Sequence, residues 1–223
     1  MNKHEVLQEL ARARVVAVVR TTEALDLTPA VEALMDEGLR AIEVTMTVPA
    51  AMDVIRDWKG RFGDRVVLGA GTVMDRATAE QAAESGAEFL VSPSLTMDLL
   101  KARTSEPRVI VLGAFTPSEI YTAWEAGADV VKVFPIRSLG ARYLRDVLAP
   151  MPQLRLMPTG GVTEESAPEL LRAGAFAVGM GGELLDLKLV RAGRLDELRA
   201  RARRLMAGLQ AIPAPVVEHR ASH

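Results

Sequence analysis

The sequence predicts a parallel (β/α)8 barrel of the TIM type, preceded by an N-terminal helix. Three observations lead there. Eight short apolar, β-branched runs recur along 223 residues, and most are followed by helix-start signals. Four of the helix-to-strand junctions carry a glycine in matching places. The length suits one α/β barrel with a full core. A doubly wound open sheet is the competing architecture.

The chain opens with MNKHEVLQELARAR, which is polar, helical in pattern and without the apolar stretch of a secretory signal. The strand runs are Val15–Arg20, Ala41–Thr45, Val66–Gly71, Phe89–Ser92, Val109–Gly113, Val130–Phe134, Leu154–Thr159 and Phe176–Gly179. Thr116-Pro117-Ser118-Glu119 offers an N-cap, a proline at the first helical position and a capping-box glutamate. Thr28-Pro29 and Asp75 are expected to start helices in a similar way, and Ser166 to Glu169 has capping-box spacing. Gly38, Gly86, Gly127 and Gly174 each end a helix, where a left-handed residue is wanted. One barrel domain is expected over residues 1–212. Residues 213–223, PAPVVEHRASH, have neither helical nor strand period and read as a loose tail.

The four glycines precede the second, fourth, sixth and eighth runs. Five residues beyond them stand Glu43, Val91, Lys132 and Gly179. If the units are equivalent, these positions share one pleat phase. Alternate strands of such a barrel supply the side chains of one interior layer. Glu43 and Lys132 are therefore expected to point inward at similar height.

Composition excludes several kinds of chemistry. There is no cysteine, which removes disulfides, thiolate nucleophiles and cysteine-held metals. His4, His219 and His223 lie near the termini, so a Ser-His-Asp triad or a His-held metal in the body of the chain is not expected. Net charge is −2 and aromatics make up 4 %, which argues against nucleic acid or a membrane surface as partner. No apolar run approaches the roughly 20 residues needed to span a bilayer. The expected setting is the cytoplasm, with no cofactor and no metal.

Carboxylates, hydroxyls and amines are left to carry chemistry. Lys132, in DVVKVFP, is one of five lysines and falls in an apolar strand. Burial penalises an ammonium group, and a neutral amine attacks carbonyls to form a Schiff base. Glu43, in AIEVT, is placed to act beside it as general acid or base. The competing reading of both is a structural ion pair, although such a buried pair is often replaceable by apolar residues. Thr159-Gly160-Gly161 ends the seventh strand and Gly181-Gly182 follows the eighth, the pair of loops where barrels often hold phosphate. Thr72, in GAGT, either binds a carboxylate or caps a turn, with the neighbouring glycines making room for substrate. Arg20, ending the first strand, offers a guanidinium to an anion or to an ordinary surface ion pair. Ser92, Thr45, Thr47 and Thr159 lie near strand ends, where hydroxyls also satisfy local backbone.

IEVTMTVP, LGAGTVMD, FLVSPSL, VVKVFP, MPTGGVTEESAPELLRAG and AVGMGGELL, in this order from about Val15 to Leu185, resemble the 2-keto-3-deoxy-6-phosphogluconate aldolase family. Some of its members also cleave 4-hydroxy-2-oxoglutarate. The resemblance implies a metal-free class I aldolase, usually a homotrimer, whose small-molecule substrate is a phosphorylated keto sugar acid or pyruvate. It implies the Schiff base at Lys132, proton shuttling at Glu43, a carboxylate contact at Thr72, and phosphate at Gly160 and Gly161. Two departures stand out. Thr47 occupies a place where some members carry arginine, and Arg20 is the expected substitute. Gly181-Gly182 stands where the family has a glycine and a phosphate-binding serine, which puts the preference for phosphorylated substrates in question. The alternatives are an aldolase for the galactonate epimer, another sugar-phosphate isomerase or synthase, or a non-catalytic phosphate-binding barrel.

Overall fold

The structure, a computed structural model, describes residues 1–217. The strands are β1 (Val15–Val19), β2 (Ala41–Thr45), β3 (Val67–Gly71), β4 (Phe89–Val91), β5 (Val109–Ala114), β6 (Val130–Val133), β7 (Leu156–Pro158) and β8 (Val178–Met180). Each pairs in parallel with its neighbour in the chain from β1 to β7, and β1 also pairs with β8. A parallel bridge between Thr159 and Gly179 closes the ring. All eight expected strands are present, most of them a residue or two shorter than their apolar runs; Arg20 falls just beyond β1.

The helices are α1 (Lys3–Ala13), α2 (Thr28–Asp36), α3 (Ala51–Phe62), α4 (Arg76–Glu84), α5 (Pro117–Glu125), α6 (Gly140–Leu148), α7 (Ser166–Arg172), α8 (Leu187–Arg191) and α9 (Leu195–Leu209). The strand pleat divides the apolar side chains between two layers. Ile42, Leu68, Leu112 and Val131 face outward, where they pack with helix residues such as Leu34, Ile120 and Leu144. Val16, Val67, Phe89, Val111 and Met157 face inward and pack with Val6, Leu7 and Leu10 of α1. The N-terminal helix therefore stoppers one end of the barrel, and each fully buried aliphatic there contributes about 1.5–3 kcal/mol. With that end filled, chemistry is left to the other end, where the strands terminate.

The junction glycines behave as expected: Gly38, Gly86, Gly127 and Gly174 all have φ between 100° and 110°. Asp75 caps α4, and Thr116 with Glu119 forms a complete capping box on α5. Two expected starts differ. Thr28 lies inside α2, and its hydroxyl accepts from the Trp58 indole at 3.1 Å instead of capping the helix. At α7 the helix begins with Ser166 itself, so Ser166 cannot cap it by pairing with Glu169. Thr163 takes that place: its hydroxyl accepts from the Ser166 N–H at 3.2 Å, and the Ser166 hydroxyl accepts from the Thr163 N–H at 2.9 Å.

The β4–β5 connection carries a short 3-10 turn, Met97–Lys101, where a full helix was expected. The segment is bounded by Pro93 and Pro107, which restrict helix at both ends. It folds back over the barrel, and the Gly113 N–H donates to Ser94 O at 3.2 Å. Of the segment 213–223 expected as a tail, residues 213–217 have no helix or strand; residues 218–223, including His219 and His223, lie outside the described residues. No helix among the described residues is long and apolar enough to cross a membrane.

Candidate active site

Glu43 on β2 and Lys132 on β6 meet inside the barrel, across from one another. Val18, opposite Glu43 in the β1–β2 register, and Gly113, opposite Lys132 in the β5–β6 register, share their inward phase. Lys132 Nζ lies 3.5 Å from Glu43 Oε1. Glu43 is 0 % exposed and Lys132 5 %. Neither Glu43 oxygen has a hydrogen-bond partner. The separation is that of an ion pair with no hydrogen bond formed. The Phe134 ring covers Lys132 on one side, with Nζ 5.5 Å from its centroid.

A cavity of about 400 Å³ opens over this pair. Arg20, Thr159, Gly160, Gly161, Gly181 and Gly182 all line it together with Glu43 and Lys132. The structure thus gathers every predicted site residue except Thr72 into one cavity wall. Thr72, at the end of β3, is half-buried and does not line it. Its φ is 59°, a left-handed conformation that is an outlier for a β-branched residue; such strain tends to mark binding sites.

The hydroxyls near the strand ends serve the backbone. Thr45 donates to Val19 O at 3.0 Å, Ser92 to Ser94 O at 2.6 Å, and Thr159 to Met157 O at 3.2 Å. Thr47 bonds the Thr45 hydroxyl at 2.7 Å. The glycines of GAGT have a use other than the one expected. Space beside Gly69 is filled by the Phe89 ring and space beside Gly71 by the Glu43 carboxylate, so both make room for neighbouring side chains.

A guanidinium that sequence reading missed also lines the cavity. Arg137 sits in a 3-10 turn after β6, Ile136–Ser138, where neither periodicity nor motif singles it out. Pro93 and Glu183 are further wall residues; both lie within the family motifs FLVSPSL and AVGMGGELL, though neither is singled out there.

The family model for KDPG and KHG aldolase matches residues 6–201. The chain belongs to that aldolase family. It is 36 % identical over 160 residues to a 2-dehydro-3-deoxy-phosphogluconate aldolase of Zymomonas mobilis, covering 71 % of this chain and 76 % of the relative. It is 30 % identical over 200 residues to the KHG/KDPG aldolase of Escherichia coli, covering 89 % and 93 %. A solved KDPG aldolase of Legionella pneumophila, with pyruvate captured at low pH as a covalent carbinolamine, superposes with a TM-score of 0.80 at 25 % identity, covering 92 % and 98 %. In the present chain Thr47 is held by Thr45, the Gly181-Gly182 loop carries no hydroxyl, and Arg20 and Arg137 both line the cavity wall.

Proposed function

We propose that this chain is a class I aldolase that cleaves 2-keto-3-deoxy-6-phosphogluconate to pyruvate and glyceraldehyde 3-phosphate, and also accepts 4-hydroxy-2-oxoglutarate, giving pyruvate and glyoxylate. The observation that carries the reading is the Lys132 amine, buried inside the barrel 3.5 Å from the enclosed Glu43 carboxylate and open to a cavity.

In its neutral form Lys132 attacks the C2 carbonyl, forming a C–N bond and a carbinolamine. Glu43 supplies the proton with which the C2 hydroxyl departs as water, leaving a protonated imine. The Glu43 carboxylate, having given up its proton, then takes the C4 hydroxyl proton as the C3–C4 bond breaks, and it later returns that proton to C3. That electron pair moves into the iminium, so the aldehyde leaves and an enamine stays on Lys132. Protonation at C3 regenerates the iminium, and water releases pyruvate and the free amine. The low-dielectric wall around Glu43 strengthens its interaction with positive charge forming on Lys132.

Thr72 and Arg20 are assigned the pyruvyl carboxylate. The place of Arg20 on the cavity wall supports its part; Thr72, off that wall, is assigned from the family resemblance. Thr159, Gly160, Gly161, Gly181 and Gly182 are assigned the distal phosphate end. Gly160 and Gly161 both have positive φ, a backbone that exposes main-chain groups to a ligand. Binding energy at that remote end orients the reacting carbons. The proposed assembly is a cytoplasmic homotrimer. Exposed Met74, Phe115 and Tyr121 supply apolar surface for association, which light scattering would test.

Pyruvate and borohydride test the chemistry directly. The expected product is a reduced pyruvyl adduct, mapped to the peptide bearing Lys132, together with pyruvate release from the phosphorylated sugar acid. Folded protein that forms no adduct would overturn the reading.

A further inference from the structure

We propose that Arg137 binds the phosphate of the substrate and sets this site's preference for phosphorylated over non-phosphorylated keto acids. The inference rests on the aldolase reading above and concerns the far end of the same cavity.

Position is the first argument. The turn carrying Arg137 is stitched to the loop after β7: the Ile136 N–H donates to Thr159 O at 2.9 Å and the Arg137 N–H to Gly160 O at 3.0 Å. The side chain then lies directly across Gly161. A Cβ on that glycine would stand 2.6 Å from Arg137 Nε and 2.7 Å from Arg137 Cβ. Gly161 is thus the bed on which the arginine rests. The guanidinium is held beside the glycine pair and on the wall of the cavity that contains Lys132.

Charge is the second. Several arginines of the surface are neutralised by carboxylates: Arg191 pairs with Glu23, Arg203 with Glu37 and Arg204 with Glu164; on the cavity wall neither Arg20 nor Arg137 is. Arg137 has no carboxylate within ion-pair distance among the described residues. Glu183 shares the cavity wall but lies outside that range, and it is the one wall carboxylate besides Glu43. An unneutralised guanidinium beside backbone amides suits a dianion, to which it donates two parallel hydrogen bonds.

Need is the third. The Gly181-Gly182 loop offers the phosphate no hydroxyl. A charge-assisted bond is about twice as strong as a neutral one, so Arg137 more than replaces that missing donor.

The test compares wild type with Arg137→Gln and Arg137→Gln/Gly182→Ser. A serine fits at Gly182, where an added Cβ meets nothing within 4 Å. The readouts are kcat/KM for 2-keto-3-deoxy-6-phosphogluconate and for 4-hydroxy-2-oxoglutarate, competitive inhibition by inorganic phosphate, and a thermal melt. Arg137→Gln is expected to lower the ratio of the two kcat/KM values about 10- to 100-fold, chiefly through KM, and to weaken phosphate inhibition in step. The added serine is expected to restore part of both. An unchanged ratio, or equal loss on both substrates, overturns the proposal. A wild-type chain that forms no pyruvyl adduct sinks the aldolase reading instead. Calorimetric titration with inorganic phosphate then still decides Arg137, and equal affinity of wild type and Arg137→Gln overturns it.

Discussion

The carboxylate of Glu43 occupies the space where Gly71 would carry a side chain. A Cβ on Gly71 would stand 2.0 Å from Glu43 Oε1 and 2.6 Å from its Cγ. Glu43 and Gly71 face the same interior from adjacent strands, and in the β2–β3 register Glu43 lies opposite Gly69, two residues before Gly71. The missing side chain of one residue is what permits the buried carboxylate of the other.

Gly71→Ala is therefore expected to disable Glu43 without altering it chemically. The overpacked core costs about 1–3 kcal/mol of stability. Displacing the carboxylate by an ångström lowers kcat about 100-fold. Melting curves and steady-state pyruvate release read the two effects; an active Gly71→Ala would show that Glu43 need not stay where it is.

Glu43→Gln keeps the shape and removes the proton carrier. Its kcat for pyruvate release is expected to fall about 10²–10⁴-fold, the range of positioned acid–base groups. The borohydride adduct should still form, but slowly, since carbinolamine dehydration also needs the proton. Full activity in this variant would remove Glu43 from the chemistry.

Lys132→Ala should abolish the adduct and leave a folded barrel. It also strands a carboxylate that is 0 % exposed, and breaking such a pair costs about 3–5 kcal/mol. Lys132→Ala/Glu43→Gln should accordingly melt higher than Lys132→Ala alone. Equal melting temperatures would mean that the two groups are not coupled across their 3.5 Å separation.

Arg20→Gln tests the proposed carboxylate contact. The pyruvate concentration for half-maximal adduct formation should rise about tenfold, while inhibition by inorganic phosphate stays within twofold of wild type. The reverse pattern would exchange the proposed roles of Arg20 and Arg137.

The capping box on α5 makes a pH prediction. Hydrogen bonds from the Thr116 N–H at 2.8 Å and the Phe115 N–H at 2.9 Å hold the Glu119 carboxyl below its ordinary value. A depressed carboxyl stabilises the fold above its unfolded pKa, and the contribution disappears as pH falls through the folded value. Glu119→Gln should thus melt below wild type at neutral pH, and the gap should close on acidification below the usual carboxylate range. A gap independent of pH would assign the loss to side-chain packing.

Much of this molecule is legible in one dimension. The glycines before β2, β4, β6 and β8 set a common count, and that count carries Glu43 and Lys132 into one interior phase because strand side chains alternate strictly. The glycine pairs after β7 and β8 are readable for the same reason: both are local patterns repeated by similar units. The family motifs, likewise strung along the chain in order, named the chemistry. What the tertiary structure alone decided depends on contacts between segments far apart in sequence. Gly71 is needed for Glu43 because a closing barrel brings their surfaces together. Arg137 rests on Gly161 because hydrogen bonds tie the turn after β6 to the loop after β7. Strand and helix periods arise within a few residues and can be read from them; shared space and unneutralised charge arise only once distant segments meet.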